Sequence, residues 1–291
     1  MPLLLLVSLL WAFSPGLIQH HLGGLSSPAV ATIRLGLTFL LFVPFLRLGV
    51  ITKRSAAWLA AIGAIQFGLM YLLYLEAFKH LQSHEVYLFT ILTPLYVVLL
   101  DAAIANKFVP RHALAALLSV VGTALILQRR VGTPDVMIGF LFVQGANLCF
   151  AAGQIAYKLS RPAFKKATDS QVFAWLALGG FVATALVSAP VTDWAAFNPS
   201  SMQWLVLAFL GLVASGGGFF LWNRGLARVN AGTLAAMNNA KIPLGVAVSL
   251  LVFRESTHIP RLLGSLALLA VAVWIAEGGR KKDGGEALNK S

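Results

Sequence analysis

The chain has 291 residues, 58% of them hydrophobic and 11% charged, and a mean hydropathy of +0.82. Soluble domains carry about a quarter charged residues, so this composition excludes an ordinary soluble fold and points to an integral membrane protein. The net charge of +12 accompanies a single cysteine, Cys149, which excludes an intrachain disulfide and a cysteine zinc site.

A membrane-spanning helix needs about 20 mostly apolar residues. Met1–Leu22 is apolar, with no Lys or Arg ahead of it and no small-residue cleavage pattern behind it. It therefore reads as a retained first helix rather than a signal peptide. Ten segments follow the same rule, separated by short polar or Pro/Gly-rich breaks. In chain order they are Pro2–His20, Pro28–Leu46, Ala56–Phe78, His84–Ala105, Arg111–Gln128, Val136–Leu159, Ser170–Pro190, Met202–Leu226, Ala231–Phe253 and Arg261–Glu277.

The breaks after even-numbered segments and the C-terminal tail hold 15 of the 22 Lys and Arg, and the odd breaks hold five. By the positive-inside rule both termini lie in the cytoplasm, and the expected location is the inner (plasma) membrane. The same asymmetry assigns the basic charge to topology and anionic lipid, so the bilayer is the expected partner and nucleic acid is not. Arg34 and Lys241 fall inside segments.

The third and fourth segments carry Tyr74 and then Pro94, 20 residues on. The eighth and ninth carry Trp222 and then Pro243, 21 residues on. The chain thus reads as five helices twice over, 1–130 and 131–279, followed by a cytoplasmic tail at 280–291. An odd number of helices per repeat inverts the second copy, an architecture of transporters. The fold expectation is all-α, with ten transmembrane helices in two inverted five-helix repeats.

Leu10-Trp11 with Pro15, Arg34, Ala77, Thr93-Pro94-Leu95, and Pro243 with Glu255 stand in an order that resembles the drug/metabolite transporter superfamily. The resemblance is to its EamA-type ten-helix members, over nearly the whole chain. It implies export of a metabolite, and the amino-acid exporters of the family are the most similar. It also implies a structural anchor role for Arg34. Asn106 departs from the family pattern, which often has Glu there.

The candidate substrate site follows from polar and aromatic residues in apolar surroundings. Lys241, two residues before Pro243, is the sharpest signal, because a lysine at mid-membrane costs about 3 kcal/mol on insertion scales. Asn238 shares its helical face. Asn147 and Gln154 lie on a polar stripe of the sixth segment, with Gln144 and Lys158. Trp11, Tyr74, Tyr87 and Trp222 supply aromatic surface for stacking or for holding a cation. Pro94 and Pro243 read as matched mid-helix interruptions and hinges. Glu76, Glu85 and Asp101 are the carboxylates available to neutralise Lys241.

The expected function is a secondary transporter exporting a small polar metabolite, an amino acid above all, by alternating access. The main alternative is a carrier of organic cations or drugs, which needs an unpaired carboxylate in the cavity. A membrane-embedded lipid-modifying enzyme is the third. No phosphate loop, HExxH or GxSxG in its required context occurs, so no enzyme activity, metal or cofactor is expected. The outer helices leave room for a homodimer.

Overall fold

The computed structural model describes residues 1–47, 49–81, 83–124, 134–252 and 259–277; at 83–84, 87–88, 134 and 245–252 it describes the backbone alone. The described residues are helical almost throughout. We number the helices α1 (Pro2–His21), α2 (Ser27–Phe45), α3 (Lys53–Ala77), α4 (Ser83–Thr90), α5 (Thr93–Ala105), α6 (Pro110–Ala124), α7 (Asp135–Phe164), α8 (Asp169–Val191), α9 (Ser201–Leu226), α10 (Ala231–Val252) and α11 (Ile259–Glu277). Seven of them, α1–α3, α7–α9 and α11, are long and apolar enough to cross a membrane.

Local chemistry fixes the ends. Thr168 with Gln171 and Ser200 with Gln203 form capping boxes that satisfy the first donors of α8 and α9. Thr52 accepts from the Ser55 backbone at the start of α3. Asn106 ends α5 in the left-handed conformation (φ 47°). Asparagine tolerates that conformation better than most residues.

Polarity runs opposite to that of a soluble domain. Leu40, Leu186, Leu205 and Trp274 are exposed, whereas Arg34, Gln66, Gln154, Asn223 and Asn239 are buried. Large apolar residues outside and polar ones inside suit a hydrocarbon solvent, which satisfies no buried donor.

Two close approaches and three irregularities shape the interior. A Cβ on Gly63 would stand 1.9 Å from the Leu176 carbonyl oxygen, and one on Gly179 would stand 1.8 Å from that of Ala60. Only glycine lets α3 and α8 meet backbone to backbone. Both α3 and α9 contain a π-helical stretch, Ala64–Leu69 and Phe209–Gly217. Such wide turns occur frequently at functional sites. The third irregularity is the interruption between α4 and α5.

That interruption corrects the reading of Pro94 as a mid-helix proline matched to Pro243. The chain turns at Ile91-Leu92, and Pro94 sits in the first turn of α5. There its missing N–H would have had no intrahelical partner in any case. Pro243 lies inside an uninterrupted α10. The two prolines therefore occupy different helical contexts. The end of the predicted fifth segment, 125–128, lies outside the described residues, as does Glu255.

Candidate functional site

The turn at Ile91-Leu92 releases carbonyls that a bilayer would leave unsatisfied, and side chains from other helices take them. Asn147 and Gln144 of α7 donate to the Phe89 carbonyl at 2.9 and 3.0 Å. Asn239 of α10 donates to the Ile91 carbonyl at 2.9 Å. Thr93 closes on the Thr90 carbonyl at 2.7 Å. Part of the polar stripe expected on the sixth segment thus serves backbone repair.

Beside this break lies a cavity of about 80 Å³. Trp11, Tyr74, Asn147 and Lys241, all singled out in the sequence, line it together. Its aromatic wall is Trp11, Phe150 and Phe219, with ring centroids 5.3 Å apart for Trp11–Phe219 and 5.9 Å for Trp11–Phe150. Trp11 is anchored by its indole N–H, which donates to the Ala214 carbonyl in the π-helical stretch of α9 at 2.8 Å. Thr90 and Thr93 at the break add polar atoms to the lining.

Three other candidates pack beside the cavity rather than around it. Trp222 Nε1 donates to Gln154 Oε1 at 3.1 Å, and the amides of Gln154 and Asn238 bond each other reciprocally at 3.1 and 3.3 Å. All three are buried. Polar residues within a membrane face either a wet space or one another, and these satisfy one another. Tyr87 lies in α4, and its side chain is outside the described residues.

Lys241 is half-buried. Among the described residues no side chain hydrogen-bonds or pairs with its ammonium. Two of the carboxylates considered for it are engaged elsewhere: Glu76 with Lys79 at 2.8 Å and Asp101 with Lys158 at 3.9 Å. Among the described residues lining the cavity, none is Asp or Glu.

Sequence reasoning underrated a second cation. Arg34 also lines the cavity, and its guanidinium donates to the Tyr71 hydroxyl at 2.6 Å and to Ser215 at 3.1 Å. Its intramembrane charge was the available signal. The partners that place it come from α3 and α9. Phe150 and Phe219 carried no mark separating them from ordinary core aromatics.

The EamA-like transporter family model matches residues 1–128 and 137–276. The chain is 36% identical to the biotin transporter of Salmonella typhimurium over 94% of this chain and 92% of that one. It is 35% identical to the biotin transporter of Escherichia coli K12 over the same shares. It is 25% identical to the aromatic amino acid exporter YddG of Ancylobacter novellus over 66% of each. A solved crystal structure superposes with a TM-score of 0.75 at 20% identity, covering 94% of this chain and 96% of that one. At that identity the match concerns the fold alone.

Proposed function

We propose that this chain, which belongs to the EamA-like transporter family, carries an organic carboxylate of the biotin kind across the inner membrane by alternating access. The observation that supports this most is the cavity's charge. Two cationic side chains, Arg34 and Lys241, line it together with aromatic residues, and none of the described lining residues is a carboxylate. An anion entering such a site meets positive charge in a low-dielectric setting, where the attraction is strongest. Biotin offers one carboxylate on a flexible apolar chain and a fused bicycle whose thioether ring suits Trp11, Phe150 and Phe219 and whose other ring is a polar urea. The biotin transporters that resemble this chain over nearly its full length agree with that chemistry. In this scheme Lys241 holds the carboxylate.

The reading includes ten crossings in two inverted repeats, with α4 and α5 forming one interrupted crossing and α6 and α10 completing the set. Support comes from the π-helical stretches, which fall in the third helix of each half. The Lys and Arg asymmetry supports cytoplasmic termini.

A second reading is aromatic amino-acid export, favoured by the relative from Ancylobacter novellus and by the aromatic wall. It requires the substrate's ammonium to rest on the ring faces of Trp11 or Tyr74, because none of the described lining residues is a carboxylate. The organic-cation alternative lacks its required unpaired carboxylate among the lining residues.

Counterflow into proteoliposomes preloaded with biotin, tryptophan or tetraethylammonium tests the choice. Biotin counterflow that falls at least tenfold in Lys241→Ala is the expected result. Flux of tryptophan without biotin would transfer the assignment to the amino acid. Flux of the quaternary amine alone would overturn the anion reading.

A further inference from the structure

Arg34 has 1% of its surface exposed. Its Nη2 is fully engaged, donating to Tyr71 at 2.6 Å and to Ser215 at 3.1 Å, and the guanidinium stands 4.2 Å above the Tyr71 ring centroid. Nε and Nη1 are buried without any hydrogen-bond partner. Those two nitrogens carry three of the five guanidinium hydrogens.

Another arginine in the same chain shows what a purely structural guanidinium looks like. Arg161, at the end of α7, uses every nitrogen: Nε on Asp169, Nη1 on the Phe164 carbonyl, and Nη2 on both Asp169 and the Ala167 carbonyl. Its charge is answered by a carboxylate at 2.6 Å. Arg34 has neutral partners for one nitrogen and none for two. A guanidinium stays charged under all physiological conditions, and burying one without compensation is unfavourable. Tying α2 to α3 and α9 would need Nη2 alone.

Arg34 and Lys241 also approach from different walls. α2 packs against α3, α8 and α9, whereas α10 packs against α1, α5, α6 and α11. A single carboxylate needs one of them.

We propose that Arg34 is a second recognition point, whose unused N–H groups bind an oxygen acceptor at the substrate end remote from the carboxylate. The proposal rests on the carboxylate reading above and narrows it. The site selects acids that carry an amide or urea carbonyl at the far end, and rejects simple aliphatic acids. Tyr71 and Ser215 are positioning residues that hold Nη2 and so aim the rest of the guanidinium. Selection follows because these donors are unpaired in the empty site: a ligand that carries the acceptor gains hydrogen bonds to a charged group, and a simple aliphatic acid does not.

The test is isothermal titration of the purified full-length protein with biotin, biotinamide and octanoate. Wild type, Arg34→Lys and Lys241→Ala are compared, with thermal melting as the check on folding. Wild type is expected to bind biotin at least tenfold more tightly than octanoate. Arg34→Lys is expected to erase that ratio, the loss falling at least tenfold more heavily on biotin than on octanoate. Lys241→Ala is expected to weaken octanoate and to make biotin and biotinamide equivalent. A folded Arg34→Lys protein that loses biotin and octanoate in equal proportion would overturn the proposal. So would equal wild-type affinity for the two acids, a result that needs no variant to fold. Octanoate bound in preference to biotin would remove the second recognition point and leave the carboxylate reading standing. A wild-type protein that binds neither acid would remove both.

Discussion

The hydroxyl of Tyr71 accepts from Arg34 Nη2 at 2.6 Å while the ring of the same tyrosine lies beneath the guanidinium, 4.2 Å from its carbon. One side chain thus supplies a hydrogen bond and a cation–π face to one cation. The Tyr71 hydroxyl also lies 3.0 Å from Ser215, which closes a triangle across α2, α3 and α9.

Tyr71→Phe separates the two contributions, since the ring remains and the acceptor goes. A hydrogen bond to a charged group is worth about 1.5–3 kcal/mol, and Ser215 still holds Nη2. Biotin counterflow is expected to show a KM raised roughly tenfold, with maximal flux nearly unchanged. Unchanged KM would remove Tyr71 from substrate positioning.

Gln66 and Asn223 form a buried amide pair between α3 and α9, with Nε2 donating to Oδ1 at 3.0 Å. Either single change to leucine strands the other amide, at a cost of about 1–3 kcal/mol. Replacing both removes the stranded group as well. The double variant is expected to melt closer to wild type than either single variant does. Additive losses in detergent melting curves would exclude pairing as the role of these amides.

Gly63→Ala forces a methyl group into the Leu176 carbonyl. Overpacking costs about 1–3 kcal/mol where side chains can yield, and here the obstacle is backbone. A large fall in melting temperature and in the monodisperse fraction is expected. Gly16→Ala is the control, because nothing lies within 4 Å of a Cβ there. Equal behaviour of the two variants would contradict the close approach of α3 and α8.

Orientation can be read with a membrane-impermeant maleimide on intact cells, after Cys149 is replaced by serine. Lys165 and Asn198 are both exposed between helices, the first between α7 and α8 and the second between α8 and α9. Asn198→Cys is expected to label from outside and Lys165→Cys only after lysis. The reverse pattern would invert the topology that the basic residues imply.

Trp11, Tyr74, Asn147 and Lys241 were legible as site candidates because polar and aromatic groups stand out against an apolar background. Gln154, Asn238 and Trp222 stand out for the same reason, yet they satisfy one another in a packed network. Composition along one helix does not tell whether a polar group faces a cavity or a partner, since the partner lies elsewhere in the chain. Arg34 illustrates the same limit: Tyr71 is 37 residues away and Ser215 is 181. The two π-helical stretches escaped notice because a wide turn shifts the helical face without changing composition. Pro94 signalled an irregularity but not its form, because one residue type both opens helices and bends them.

The interrupted crossing between α4 and α5 is not a loose joint. Asn147 grips one of its carbonyls from α7 and Asn239 grips another from α10, two residues further along the chain. The segment therefore acts as a connecting rod between those two helices. Lys241 on α10 and Asn147 on α7 thus stand on helices that are tied to the same short stretch of backbone, Phe89 to Ile91.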